Sequence, residues 1–273
     1  METAFDTIKA VLCDIDGTLL TSEHAVSGRT LAAIRALRER GILFGLCTGR
    51  NAAATESMFE RWGLTGMVDI LVGTGGGEVV DYAHDVRELS YPLPGSAIKE
   101  IVAHFEDLPA YPVCPNNGVL YVNTVNPVIE RLSRVDGVPY KLVDFDELLK
   151  EPQPKVMFAC LIEDMPLVLE RAQTFSSGAY KSASLQTTQR LYEYMDPRVS
   201  KTRGLLRVAE LNGFGIESIC AFGDADNDAD MVANAGVGVA MANGSEKTRA
   251  AADFVTLGND EDGIAVFVEE YLL

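Results

Sequence analysis

Residues Ala10-Val11-Leu12-Cys13 are uniformly apolar and run straight into Asp14-Ile15-Asp16-Gly17-Thr18-Leu19-Leu20. An apolar run this short, closed by a turn residue, reads as a strand buried on both faces, the kind found in parallel sheets flanked by helices. That confines the chain to an α/β architecture. Successive side chains of extended chain alternate faces, so Asp14 and Asp16 are expected to point the same way, with Gly17 turning the backbone aside. Two carboxylates in one small volume raise each other's pKa and are costly to desolvate without a cation. Taken alone, Asp-x-Asp-Gly is also an ordinary acidic turn, so the rest of the chain must decide.

It repeats the pattern. Ser27 is a candidate N-cap, apolar residues at helical spacing follow, and Gly41 is a stop signal. Ile42 to Cys47 is a second short apolar run that ends in Thr48-Gly49-Arg50. A strand-helix-strand unit of this length implies a right-handed crossover with both strands parallel, which brings Thr48 beside Asp14. A helix over Ala52 to Trp62 and a strand over Asp69 to Val72 come next, and then Gly73-Thr74-Gly75-Gly76-Gly77. The glycine run has neither the lysine nor the spacing of a phosphate loop and reads as a hairpin or a place of close backbone approach.

From residue 83 to residue 196 prolines recur and shorter strands alternate with helices, with Asn116-Asn117-Gly118 marking a hairpin. This segment reads as a second α/β domain inserted in the first, leaving residues 1–82 and 197–273 as the two parts of the core. The core pattern resumes at Ser200-Lys201-Thr202-Arg203-Gly204, and Ile219 to Phe222 ends in Gly223-Asp224-Ala225-Asp226-Asn227-Asp228. An EF-hand loop fails here, because Ala235 stands at its twelfth position and a strand precedes it. Asp224 at a strand end, with Asn227 and Asp228 at the start of the next helix, fits a site at a sheet edge. The expected fold is a doubly wound parallel, Rossmann-like sheet core with an inserted smaller α/β cap domain.

Of 273 residues 47% are hydrophobic and 23% charged, enough for a sizeable core. The net charge of −17 argues against a nucleic-acid partner, which needs clustered Lys and Arg. With no basic-then-apolar leader and no apolar run long enough to cross a bilayer, the expectation is a cytoplasmic protein without membrane contact, a monomer or weak homodimer. Cys13, Cys47, Cys114, Cys160 and Cys220 form no Cys-x-x-Cys pair and read as reduced, buried thiols. His24, His84 and His104 lack metal-ligand spacing and read as surface residues.

Ligands of open α/β sheets bind at the carboxyl ends of the strands, which makes Asp14, Asp16, Thr48, Asp224 and Lys201 one set. Asp14 can attack phosphorus as a nucleophile, and Asp16 can protonate the leaving oxygen and later deprotonate water. A divalent cation held by Asp14, the Asp16 carbonyl and Asp224 would let anion approach anion, and oxygen ligands around phosphate favour Mg²⁺. Thr48 and Lys201 can neutralise phosphate oxygens.

These residues resemble the haloacid dehalogenase superfamily, and within it the Cof-type phosphatases. Asp14-Ile15-Asp16-Gly17-Thr18 is similar to its first motif, Thr48-Gly49-Arg50 to the second, Lys201 to the third, and Gly223 to Asp228 to the fourth. Ala235 to Asn243 and Asn259 to Ala265 are also similar to that subgroup. The resemblance implies Mg²⁺-dependent hydrolysis of small phosphomonoesters, most of all sugar phosphates, with the inserted domain as a cap that chooses the substrate. It implies that Thr48, Gly49, Lys201 and Asn227 bind phosphate, and that the metal is held by Asp14, Asp16 and Asp224 with Asp228 in support. Two departures stand out: Gly75-Gly76-Gly77 in place of Asn-Gly-Ala, and Arg203 inside a Lys-Thr-Arg-Gly stretch, read as facing solvent. Arg190, Tyr192, Asn116 and Asn117 can reach a sugar but are equally turn or surface residues. Pyridoxal phosphate or FMN as substrate, a phosphosugar mutase, and a non-catalytic metabolite-binding protein remain alternatives.

Overall fold

The apolar runs before Asp14, Thr48 and Asp224 are all strands in the computed structural model, which describes residues 4–273. The first part of the chain forms β1 (Ala10–Cys13), α1 (Gly28–Glu39), β2 (Leu43–Cys47), α2 (Ala52–Glu56), α3 (Phe59–Trp62), β3 (Ile70–Gly73), β4 (Glu78–Asp81) and β5 (Val86–Leu89). Next come α4 (Gly95–His104), β6 (Ala110–Asn116), β7 (Val119–Val122), α5 (Pro127–Asp136), β8 (Tyr140–Leu142), α6 (Phe145–Leu148), β9 (Val156–Cys160), α7 (Met165–Ala172), β10 (Ala183–Thr188) and β11 (Leu191–Met195). The chain closes with α8 (Lys201–Asn212), β12 (Ile219–Gly223), α9 (Ala229–Asn234), β13 (Val237–Ala240), α10 (Glu246–Ala251), β14 (Phe254–Val255) and α11 (Gly263–Tyr271).

The chain divides into two compact units, Met1–Glu88 with Ser200–Leu273, and Leu89–Val199. The interruption starts and ends a few residues later than the 83–196 read from the sequence. The hairpin strand β5 accounts for the first shift, since Glu88 is gripped at both oxygens by Arg207 of α8 at 2.8 and 2.7 Å.

The core unit has one sheet in the order β14-β13-β12-β1-β2-β3-β4-β5, with β1 paired in parallel to both β2 and β12. Alternate residues of each central strand enter two separate apolar clusters. Val11, Phe44, Leu46 and Phe222 pack with Ile34 and Leu37 of α1 and Phe267 of α11, while Leu12, Ile70, Val72 and Ala221 pack with Leu205 and Val208 of α8. Helices therefore cover both faces, as a doubly wound sheet requires. The chain runs one way from β1 through β2 and the other way through β12, which makes the β1/β12 boundary the switch point where ligands bind.

The second unit has its own six-stranded sheet, β10-β11-β9-β6-β7-β8, antiparallel except where β7 meets β8. Its core is separate: Ile98, Ile101 and Phe105 around α4 and Val168 of α7 pack on Phe158 and Tyr194. Within it Lys155 and Glu193 form a buried ion pair at 2.7 Å. An apolar hollow of about 630 Å³ lies between α5 and the ends of β9 and β11. Asn116 donates to Gln153, Asn117 takes a left-handed turn conformation, Tyr192 is paired with Ser184, and Arg190 borders the hollow.

Local differences from the sequence reading have physical causes. The single helix expected over Ala52 to Trp62 is two, because the Ser57 hydroxyl donates to the Ala54 carbonyl and Met58 N–H reaches only back to Thr55, tightening the chain into a turn. The glycine run is the hairpin between β3 and β4, which pair antiparallel. Gly76, at φ +107°, is the place of close approach: a Cβ there would overlap the carbonyl of Ser200, the N-cap of α8. Gly76→Ala must distort this contact and is expected to cost about 2 kcal/mol or more, read as a lower urea midpoint at unchanged slope. Because α8 begins with Lys201, the same variant should lose activity beyond its loss of stability. All five cysteines are free and buried. Among the described residues no helix is long and apolar enough to cross a membrane.

Candidate active site

Asp14 lies one residue beyond β1, where its N–H donates to the Phe222 carbonyl of β12 at 2.9 Å. Its side chain is held inward, and the residue is 8% exposed. Lys201 is buried opposite, and its Nζ donates to Asp14 Oδ1 and to Asp228 Oδ1, each at 2.5 Å. The second oxygen of Asp228 accepts from the N–H groups of Asp224 and Ala225 at 3.0 and 2.9 Å. Both Asp228 oxygens are thus engaged, and the residue fixes the turn after β12. Asp224 accepts from the Thr18 hydroxyl at Oδ1, 2.7 Å away. Gly17 makes that approach possible: its φ is +90°, and a Cβ there would overlap the Asp224 carboxylate.

Asp14, Asp224 and Asp228 each offer an oxygen within 4.8 Å of the others. Three carboxylates face one ammonium. Burial, with Asp228 and Asp224 adding to it against the pull of Lys201, pushes Asp14 up to about 8. Asp224 is pushed up to about 6 by burial, with Thr18 opposing and Asp228 adding. Burial opposes the Lys201 charge, but Asp14 and Asp228 outweigh it and leave its pKa above that of a free lysine. An all-oxygen donor set with excess buried negative charge fits a hard divalent cation. Asp14 Oδ2 and Asp224 Oδ2 accept no hydrogen bond among the described residues, so they are the oxygens that would hold it.

A stability consequence follows from the sign of these shifts. Both carboxyls bind protons more tightly folded than unfolded, so between about pH 4 and pH 8 the folded state holds more protons and stability falls as pH rises. In chelator the melting temperature should decline from pH 5 to pH 8, and a saturating divalent cation should flatten the decline. A chelator profile that rises through this range would contradict the electrostatics of the cluster.

The Asp16 side chain does not share a face with that of Asp14 as strand alternation predicts. The strand ends at Cys13, so the alternation does not carry through the turn, and Asp16 does not join the carboxylate cluster. Its side chain is 49% exposed and pairs with Arg50. Thr48 follows β2 and is buried: its N–H donates to the Val72 carbonyl, and its own carbonyl accepts from Gly75. Gly49 is next in that loop, Asn227 is exposed in the turn before α9, and Arg203 is exposed on α8. Cys47 is a core thiol, pushed up to about 12 by burial. His84 is paired to Asp81 and His104 to Thr174, while His24 is exposed.

Sequence reasoning missed the residues that tie the first loop down. Asn243 donates to the Gly17 carbonyl, Asn259 to the Leu20 carbonyl, and Asp260 accepts from Ser22 N–H. Asn243 and Asn259 sit in the two downstream stretches singled out from the sequence, and their amides were the available signal. Thr18 was likewise in view, within the first motif.

A family model for haloacid dehalogenase-like hydrolases matches residues 11–268. The chain is 26% identical to 5-amino-6-(5-phospho-D-ribitylamino)uracil phosphatase YitU of Bacillus subtilis (strain 168), over 96% of each chain. It is 29% identical to phosphoglycolate phosphatase of Methanopyrus kandleri, again over 96% of each. A haloacid dehalogenase-like hydrolase from Bacteroides thetaiotaomicron has the same fold, with a TM-score of 0.85 at 23% identity over 96% of this chain and 99% of that one. A match that begins at β1 and runs into α11 spans every element bearing the carboxylate–lysine cluster, and the chain belongs to the haloacid dehalogenase-like hydrolases as a phosphomonoester hydrolase.

Proposed function

We propose that the protein hydrolyses small phosphomonoesters, most of all sugar phosphates, through a phosphoryl group carried on Asp14, with Mg²⁺ as the cation. The carrying observation is Asp14 itself: a buried carboxylate at the switch point, with one oxygen on Lys201 and its carboxylate grouped with those of Asp224 and Asp228. Asp14 attacks phosphorus, and the bond to the leaving oxygen breaks as Asp16 gives that oxygen a proton. Water then attacks the phosphorus of the acyl phosphate, Asp16 takes its proton, and inorganic phosphate leaves with Asp14 restored. Lys201 orients Asp14, and Thr48, Gly49 and Asn227 form the loop positions that meet phosphate oxygens. A cation on Asp14, Asp224 and the Asp16 carbonyl, with Asp228 in support, would neutralise charge where two anions meet.

Residues 89–199 are the unit we assign to substrate selection. The two relatives' names specify small phosphate esters, which supports a small substrate for this chain. The test is phosphate release from a panel of sugar phosphates, phosphoglycolate, pyridoxal phosphate, FMN and an aryl phosphate, with and without Mg²⁺. Metal-dependent release that is highest for a sugar phosphate is expected. Transfer of phosphate to a second sugar without net release would replace hydrolysis by a mutase reaction, and inactivity on the whole panel would point to a binding protein.

A further inference from the structure

Arg50 ends the second motif and takes no part in the steps assigned to Asp14 and Asp16. Its guanidinium grips Asp16 with two nearly parallel hydrogen bonds, Nε to Oδ2 at 3.0 Å and Nη2 to Oδ1 at 2.9 Å. The backbone beneath it is fixed, with N–H donating to Thr48 Oγ1 and the carbonyl accepting from Thr74 N–H. Asp16, in contrast, sits in the turn between β1 and Gly17 with half its side chain in water. A pair this exposed adds little stability, about 0–1 kcal/mol, so stability does not explain the fork. What the fork does is geometric: a two-point grip sets the plane as well as the position of a carboxylate, which a lone charge cannot.

We infer that Arg50 is a positioning residue for Asp16, holding its carboxyl out of the cation-binding carboxylate cluster and oriented for proton transfer to the leaving oxygen. The Asp16 charge is felt at Asp224, so where the Asp16 carboxylate is held bears on the cluster. One oxygen of Asp16 stays on Arg50 while the other carries the proton. As the phosphorus–oxygen bond breaks, that proton passes to the departing oxygen, which leaves as a neutral alcohol, and the carboxylate returns to the two-point grip. The inference rests on Asp16 being the acid, and the experiment separates the two claims.

Substituted phenyl phosphates, from nitro to methoxy, vary the need for a proton without changing the phosphoryl group. The quantity measured is kcat/KM with Mg²⁺, which reports the steps up to departure of the phenol. For Arg50→Met we expect a loss within about threefold on 4-nitrophenyl phosphate and about tenfold or more on the methoxy ester, with partial recovery in Arg50→Lys. Asp16→Asn should show the same steepening, and adding Arg50→Met to it should change little, since a residue acting through another has no effect once that other is gone. A uniform loss across the series in Arg50→Met, or a further loss in the double variant, would mean that Arg50 binds phosphate and would overturn the inference. A flat response in Asp16→Asn would instead remove Asp16 from the acid role. Near-UV circular dichroism matching wild type establishes that each variant is folded.

Discussion

Asp14→Asn should release phosphate about 10⁴-fold more slowly than wild type, or not at all, and should nevertheless melt several degrees higher in chelator. The two effects have one source. An amide is not a nucleophile toward phosphorus and is a poor ligand for a hard cation, so the reaction loses its first bond-forming atom. The same carboxylate is a burden to the fold without its cation. It is 8% exposed, shares a lysine with Asp228, and is pushed up to about 8, so at neutral pH the folded state works against its charge. Asparagine keeps the shape and can turn its carbonyl oxygen toward Lys201 while removing one of three crowded negative charges. A relief of about 1–2 kcal/mol corresponds to about 2–8 °C in a chain of this size. Adding Mg²⁺ should raise the wild type more than the variant, because binding stabilises by an amount set by affinity and the variant has lost a ligand. A variant that melts lower than wild type in chelator, or that retains activity, would remove Asp14 from both roles.

The parts of this arrangement that could be read in advance are those fixed by local chemistry. Strands covered on both faces are apolar throughout, so the runs before Asp14, Thr48 and Asp224 announce themselves, and the alternation of strand and helix orders them in a parallel sheet. The start of α1 is legible because Ser27 accepts from Thr30 N–H, as a cap should. What could not be read depends on where turns send the chain. Extending strand alternation through residue 16 placed Asp16 beside Asp14, but the strand stops at Cys13 and Gly17 takes a positive φ, so the partner of Asp16 is Arg50 at the end of another strand. A close backbone approach somewhere in the glycine run was legible, but not that the Ser200 carbonyl is what Gly76 admits. The buried pair of Lys155 and Glu193 was invisible for a similar reason, since each residue alone is a surface type and only the register of β9 and β11 buries them together.

Lys201→Met should cost about 3–5 kcal/mol of stability at pH 8 in chelator as well as the activity. Lys201 is 3% exposed and, among the described residues, is the only cation bonded to Asp14 and Asp228, so the substitution leaves two buried carboxylates without their counter-charge. Methionine fills the space of the aliphatic stem, so the loss reports charge more than packing. A lysine whose pKa is raised by folding contributes stability that is complete below its unfolded pKa, near 10.4, and is lost only as pH climbs through the higher folded value, so wild type keeps this contribution across the neutral range. Without Lys201 the Asp14 carboxyl, already raised by burial, holds its proton even more tightly than in wild type and escapes the penalty by staying protonated. At pH 5 it is neutral, and the stability gap to wild type should shrink; at pH 8 it is driven to ionise, and the gap should widen. Urea unfolding at the two pH values measures both gaps directly. Mg²⁺ should restore part of the stability at pH 8 by replacing one positive charge with two, without restoring turnover, because a cation on Asp14 and Asp224 cannot also orient Asp14 from the Lys201 side. A gap that is equal at the two pH values, or below about 1 kcal/mol at pH 8, would show that Lys201 is a packing residue and not the counter-charge of the site.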